Sequence, residues 1–176
     1  QNFEKYGVKK IVTQCPHCLT TLKNDYAEIG TELEVMHHSE FISDLIKQGK
    51  IEPEASVDED ITFHDACYVG RHHGEYDAPR DVLQSVLSEK ATIKEMPRNK
   101  EESFCCGAGG GNMWYEIKQG KRINVERFEE AIETGVKKVA TSCNFCMIMM
   151  EDGRKVTGQD ENMEVYDIAE LVAERI

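Results

Sequence analysis

Seven cysteines stand at spacings that suit metal or redox chemistry. The first two are Cys15 and Cys18 in "TQCPHCLTT". A C-x-x-C that follows a strand serves equally as a thioredoxin-type dithiol or as half of a metal site. The other five fall in three groups: Cys67; after 37 residues the adjacent Cys105 and Cys106; after 36 more, Cys143 and Cys146. Four thiolates close a tetrahedral zinc site or hold an ordinary iron–sulfur cluster, so a fifth needs a reason. An odd number of cysteines, two of them adjacent, is a poor secreted disulfide framework and favours metal or redox chemistry. Buried inert thiols fit one or two isolated cysteines better than clustered pairs.

The adjacent pair supplies the reason. Neighbouring side chains of an extended strand point to opposite faces, so two sulfurs aimed at one centre require a kink. "CCGAGGGN" offers Gly107, Gly109, Gly110 and Gly111, which permit positive φ and close backbone approach. Their amides are candidate cofactor-binding donors, able to hydrogen-bond cluster sulfides. A nucleotide-loop reading of the same glycines fails, because Asn112 replaces the last glycine and cysteines stand where phosphate would lie.

The elements that must position these thiols follow from hydrophobic pattern. "KKIVTQ", "LEVMH", "ITFHDAC", "ATIKEM", "KKVATS" and "MEVYD" read as strands. Helices are expected over 16–29 and 144–152, in "DAPRDVLQSVLS", and in "INVERFEEAIETG", stopped by Gly135. Ser39 and Asp167 are candidate N-caps. The alternation predicts an α/β fold with a mainly parallel, Rossmann-like sheet. It places the cysteines at strand C-termini ahead of helices, the edge where such sheets bind ligands. Helix N-termini also favour the thiolate.

A repeat runs through the chain. "GVKKIVTQCPHC" (7–18) aligns with "GVKKVATSCNFC" (135–146), and "LEVMHHSEFISDLI" (33–46) with "MEVYDIAELVAERI" (163–176). Two matched blocks in one order indicate a duplicated unit. The reading is a tail of a first unit at 1–50, an acidic linker at 51–60, and a complete second unit at 61–176. The front of the first unit, roughly 70 residues by this alignment, is expected to precede the chain.

Composition excludes other classes. A formal net charge of −12 argues against a general nucleic-acid grip or docking to an anionic bilayer. No apolar run approaches the roughly 20 residues of a membrane span. No export signal is evident either. A cytoplasmic location is expected.

"HDACYVG", "FCCGAGGGNMW" and "CNFC" together resemble the cysteine-rich CCG domain of the heterodisulfide reductase catalytic subunit and related iron–sulfur reductases. "HDACYVGRHHGEYDAPR" most resembles the electron-transferring-flavoprotein-linked branch, where such domains end a larger membrane-associated protein. The resemblance implies a non-cubane [4Fe–4S] cluster on Cys67, Cys105, Cys106, Cys143 and Cys146. It makes Cys15 and Cys18 the closing half of a first site that is incomplete here. It further implies an oxidoreductase passing electrons between a flavoprotein or iron–sulfur donor and a quinone or disulfide acceptor. Expected partners are an electron-transfer flavoprotein or similar redox protein, and an N-terminal part with ferredoxin-like or membrane modules, which would hold the chain at the cytoplasmic face. The alternatives are a structural zinc module without redox chemistry, or a thiol–disulfide oxidoreductase using Cys15 and Cys18.

Other residues carry weaker signals. His64 either tunes or relays a proton at the centre, or simply hydrogen-bonds backbone at a strand end. Asp65 is expected to hold the Cys67 loop as a turn residue. Arg71, His72 and His73 form a basic patch, read mainly as a solvated loop. His17 and the His37–His38 pair belong to the first unit, and His17 is expected to face that unit's absent cluster. Trp114 and Tyr115 are expected in the core. "KEESF" and "ERFEEAIE" read as solvated faces.

Overall fold

The computed structural model describes residues 2–115 and 119–176. In chain order the elements are α1 (Asn2–Lys5), β1 (Lys10–Thr13), α2 (Pro16–Thr20), α3 (Tyr26–Glu28), β2 (Glu34–His37), α4 (His38–Lys47) and β3 (Ile61–His64). They continue as α5 (Cys67–His73), α6 (Asp77–Val86), α7 (Ile123–Glu133), β4 (Lys138–Thr141), α8 (Asn144–Val156), β5 (Glu164–Asp167) and α9 (Ile168–Ala173). The fold is α/β, and its described strand ladders are all parallel: β1 with β2, and β3–β4–β5 with β4 central.

Parallel neighbours need helical crossovers, and buried strands on both faces read as continuous apolar runs. β3 meets that condition, with all four residues buried. Val82, Leu83 and Val86 of α6 and Leu171 and Val172 of α9 pack against Ile61 and Phe63 on one side. Phe128 and Ala131 of α7 and Met150 of α8 pack against Val139 and Val165 on the other.

The order β1–α2–β2–α4 recurs as β4–α8–β5–α9, and both copies end on the same device. The His37 amide donates to Glu40 and the Asp167 amide to Glu170, each at 2.9 Å, while the His37 and Asp167 side chains cap their helices. These are reciprocal capping boxes. The cap of α4 is therefore His37 and not Ser39, whose hydroxyl instead lies 2.7 Å from His37 Nδ1. The helix starts directly at the strand end, and an imidazole nitrogen accepts there as the Asp167 carboxylate does. The two copies meet around these caps. His38 Nε2 lies 3.1 Å from Asp167 Oδ1, and Gln14 donates to Asp167 Oδ2 at 2.9 Å.

Two expectations fail for local reasons. "ATIKEM" forms a single parallel bridge, Ile93 to Ile61, and on its N-terminal side the Asp60 carboxylate takes the Thr92 amide at 2.7 Å. The helical stretch expected over 16–29 forms through Glu28, with a π turn at Thr21–Asp25. Trp114 and Tyr115 are 78% and 71% exposed, because Gly110 and Gly111 turn left-handed and lead the chain outward. The 51–60 segment is not a free tether. Val57 is buried and bridges Leu87, and the Glu54 amide donates to the Arg175 carbonyl.

This packing has two testable consequences. Gly153 sits where α7 meets α8, and a Cβ there would lie 2.9 Å from both the Asn124 carbonyl and Phe128 Cβ. Gly153→Ala should therefore destabilise by about 1–3 kcal/mol in urea unfolding. His37 is pushed down to about 3 by burial, with the His38 ring adding to the effect. Unfolded His37 titrates near 6.5, so its neutral burial stabilises fully above that pH. The stability is lost as pH falls from there towards about 3, by at most ~1.4 kcal/mol per pH unit. His37→Asn, which keeps a capping acceptor, should flatten that slope in pH-dependent thermal unfolding.

Candidate metal centre

The C-terminal ends of β3 and β4 lie side by side, and each leads into a helix with a cysteine at or next to its first residue. Cys67 opens α5, Cys143 is the residue before α8, and Cys146 lies in the first turn of α8. Cys105 and Cys106 arrive on the loop after Lys100–Glu102. The five cysteines line one cavity of about 40 Å³ together with Ala66, Ala108 and Phe145. All five are free thiols.

The sulfurs form a continuous chain of contacts, Cys67 to Cys105 to Cys106 to Cys146 to Cys143. Hydrogen bonds from Cys106 and Cys67, with the Gly107 amide at 3.3 Å, hold the Cys105 thiol well below its ordinary pKa. Cys143 is lowered chiefly by its bond from Cys146. Cys67 and Cys106 are raised because each gives its proton to Cys105, and Cys146 because it serves Cys106 and Cys143. Hydrogen bonding thus favours the thiolate at Cys105 and Cys143 over the other three, and a bound metal would displace the remaining protons.

The loop bearing Cys105 and Cys106 is pinned by one carboxylate. Asp65 takes two hydrogen bonds from Arg80, at 2.8 and 2.9 Å, and one from the Lys100 amide at 2.8 Å. Its carbonyl accepts from Ser103 Oγ at 3.2 Å. Asp65 is therefore an anchor between two loops, more than a local turn residue. Arg71 adds to it by donating to the Glu101 and Ser103 carbonyls. His72 stacks on Tyr68 at 4.1 Å and His73 lies 2.8 Å from Thr20 Oγ1, so the three basic residues serve intramolecular contacts. Gly107 has φ +89°, and a Cβ there would stand 3.0 Å from Ile123 Cβ. Gly109 lines the cavity without a left-handed φ, while Gly110 and Gly111 make the turn that follows.

His64 is fully buried, and a ring nitrogen lies within 4.8 Å of the Cys106 and Cys146 sulfurs. Its partner is a side chain, not backbone: Arg127 Nε donates to His64 Nδ1 at 2.9 Å. Burial, with Arg127 beside it, pushes His64 down to about 3. Arginine stays protonated, so Nδ1 must accept and Nε2 carries the single proton of the neutral ring. No lone pair remains for a metal, and His64 is an N–H donor. "ERFEEAIE" is accordingly not a solvated face. Arg127 and Glu130 are buried, and Arg127 also donates to Glu130 and, at 2.8 Å, to the Arg98 carbonyl. Arg127 escaped the sequence reading; its place beside Phe128 on the inward stripe of α7 was the available signal. In "KEESF", Ser103 is likewise buried.

Cys15 and Cys18 stand apart from the five. Cys15 accepts from the Cys18 amide at 3.5 Å, at the start of α2, and Cys18 is exposed. The residues between them do reach the cavity, whose wall includes Pro16 and His17. His17 thus lines the cavity of the complete thiol set. Asp65→Asn should cost about 1.5–3 kcal/mol in urea unfolding, because Arg80 and the Lys100 amide lose a charged acceptor while Arg80 keeps Glu95 at 2.6 and 3.0 Å. Alkylation of Cys105 in metal-free protein should accelerate in that variant, read by mass spectrometry.

Residues 1–23 and 61–151 match the CCG cysteine-rich domain. The chain is 42% identical over 174 residues to the probable iron-sulfur-binding oxidoreductase FadF of Bacillus subtilis, covering 99% of this chain and 24% of that protein. It is 40% identical over 179 residues to the EtfAB:quinone oxidoreductase of Syntrophomonas wolfei, covering 98% and 25%. It is also 40% identical over 181 residues to one subunit of the dihydromethanophenazine:CoB–CoM heterodisulfide reductase of Methanosarcina mazei, covering 98% and 42%. The chain therefore spans a quarter to two fifths of the length of these relatives. With five thiols gathered at the sheet edge and this match over both of its segments, the chain belongs to the CCG cysteine-rich domain family.

Proposed function

We propose that the chain is an iron–sulfur redox domain in which Cys67, Cys105, Cys106, Cys143 and Cys146 hold a [4Fe–4S] cluster of non-cubane type. The observation that carries this is the convergence of five free thiols, one more than zinc takes, in a single cavity. The donor set fits such a group. It is all sulfur, hydrogen bonds lower the Cys105 and Cys143 thiols, the Gly107 amide donates to Cys105, and a His64 ring nitrogen lies within 4.8 Å of the Cys106 and Cys146 sulfurs. When bound, the cluster supplies one-electron transfer. The protein's part is to hold the thiolates, shield them with Ala66, Ala108 and Phe145, and set the potential through those donors.

The division into a first-unit tail at 1–50, a linker at 51–60 and a complete unit at 61–176 is supported by the repeated element order. In this reading Cys15 and Cys18 belong to a first site whose other ligands lie outside the chain. The relatives' names support electron transfer between a flavoprotein or iron–sulfur donor and a quinone or disulfide acceptor, within a larger oxidoreductase. No helix among the described residues is long and apolar enough to cross a membrane. A relative from Chromohalobacter salexigens is described as a probable membrane-anchored ferredoxin, which favours association with a membrane through a neighbouring module; the cytoplasmic face is our reading.

A structural zinc site closed by four of the five cysteines is the second reading. Its support is the small cavity and the close approach of the Cys106 and Cys146 sulfurs, with a His64 ring nitrogen, within 4.8 Å of one another. The fifth sulfur on the same cavity, which a tetrahedral ion leaves unused, favours the cluster.

Anaerobically purified protein should be brown, carry ~4 iron per chain and bleach with dithionite. Cys106→Ser should lose or distort the electron paramagnetic resonance signal, and Cys18→Ser should leave it intact. A colourless protein with one zinc would sink the proposal, and an unchanged signal in Cys106→Ser would remove the five-ligand set.

A further inference from the structure

We propose that His17, carried by the first C-x-x-C, donates a hydrogen bond to a sulfur of the group held by the five thiols, and so is a positioning residue of that centre contributed by the opposite copy of the repeat. This rests on the iron–sulfur reading above.

His17 enters the site from outside the unit that supplies the cysteines. Its ring lies 4.2 Å from the Tyr68 ring and edge-on to Phe145 at 5.6 Å. Tyr68 follows Cys67 and Phe145 precedes Cys146, so the ring is clamped between the two ligand-bearing helices. Tyr68 is itself backed by His72. This clamp leaves the ring little freedom, and it holds His17 on the wall of the thiol cavity.

The second observation is chemical. His17 Nδ1 is shut off from solvent and has no hydrogen-bond partner in the protein. A buried polar atom without a partner costs about 1–3 kcal/mol, and native proteins rarely leave one so. The cavity that His17 lines is where a partner can stand. A sulfide or ligand sulfur there accepts from an N–H, as it does from the Gly107 amide.

The third observation is the repeat. His17 aligns with Phe145, the residue it touches. Packing alone is met by phenylalanine, as the second copy demonstrates. The first copy differs at this position by placing a polar ring against an otherwise apolar wall. The N-terminal segment is thereby a working part of the second site, independent of what its own cysteines bind.

The test compares wild type, His17→Phe and His17→Asn, purified anaerobically. Phenylalanine keeps the stack and removes the donor; asparagine places an N–H near the position of Nδ1. Iron content, electron paramagnetic resonance and midpoint potential by optical redox titration are measured. Hydrogen bonds to cluster sulfur raise the potential. His17→Phe should therefore keep its iron but show a more negative midpoint and a shifted signal, with His17→Asn returning towards wild type. Unchanged potential and signal in His17→Phe overturn the inference while leaving the iron–sulfur reading intact. Should His17→Phe lose iron, retention by His17→Asn supports the hydrogen bond, and loss in both overturns it in favour of packing. Absence of iron in wild type overturns both readings together.

Discussion

Five sulfurs meet in this protein because a buried carboxylate, Asp65, ties a long loop back to the edge of a parallel sheet. β3 and β4 are neighbours, so Cys67, Cys143 and Cys146 arrive together as a consequence of strand pairing. Cys105 and Cys106 have no strand of their own to bring them. Asp65, one residue past β3, accepts from the Lys100 amide and receives Ser103 on its carbonyl, and Arg80 neutralises it. Charge-assisted bonds of this kind are the strong ones, and here they act across a loop that regular structure does not hold.

A second buried charge sets the chemistry next to the thiols. Arg127 is completely enclosed, and its charge is balanced by Glu130 and directed at His64. An arginine aimed at one imidazole nitrogen dictates that the other carries the proton. The strand-end histidine thus becomes an N–H donor close to the Cys106 and Cys146 sulfurs and keeps no lone pair for a metal. The same network reaches both the core and the thiols, since Arg127 joins Glu130 and the Arg98 carbonyl to His64.

The repeat explains why the first segment belongs to the molecule. Its strands and helices reproduce those of the second copy down to the reciprocal caps at His37–Glu40 and Asp167–Glu170. The copies touch through His38, Gln14 and Asp167, and the two C-x-x-C turns meet at His17 and Phe145. The C-x-x-C turns bring equivalent residues together, His17 and Phe145, whereas Asp167 meets His38, whose equivalent is Ile168. Small differences between the copies therefore decide what each contact does.

Much of this was legible in the residues. Cysteine spacing, glycine-rich kink and strand–helix alternation are local signals, and together they determined the α/β class, the repeat and the five thiols. What only the tertiary structure decided were matters of which loop faces which. His17 reads as part of the first unit and lies on the second site. Arg127 and Glu130 read as surface charges and are buried. Trp114 and Tyr115 read as core and are exposed, because two left-handed glycines turn the chain before them. "ATIKEM" carries a strand's pattern yet yields its amide to Asp60. In each case the deciding partner is distant in sequence or is a backbone turn that overrides hydrophobicity. A linear pattern records the period of an element and the chemistry of its side chains, whereas burial and pairing depend on which other segment arrives to cover them.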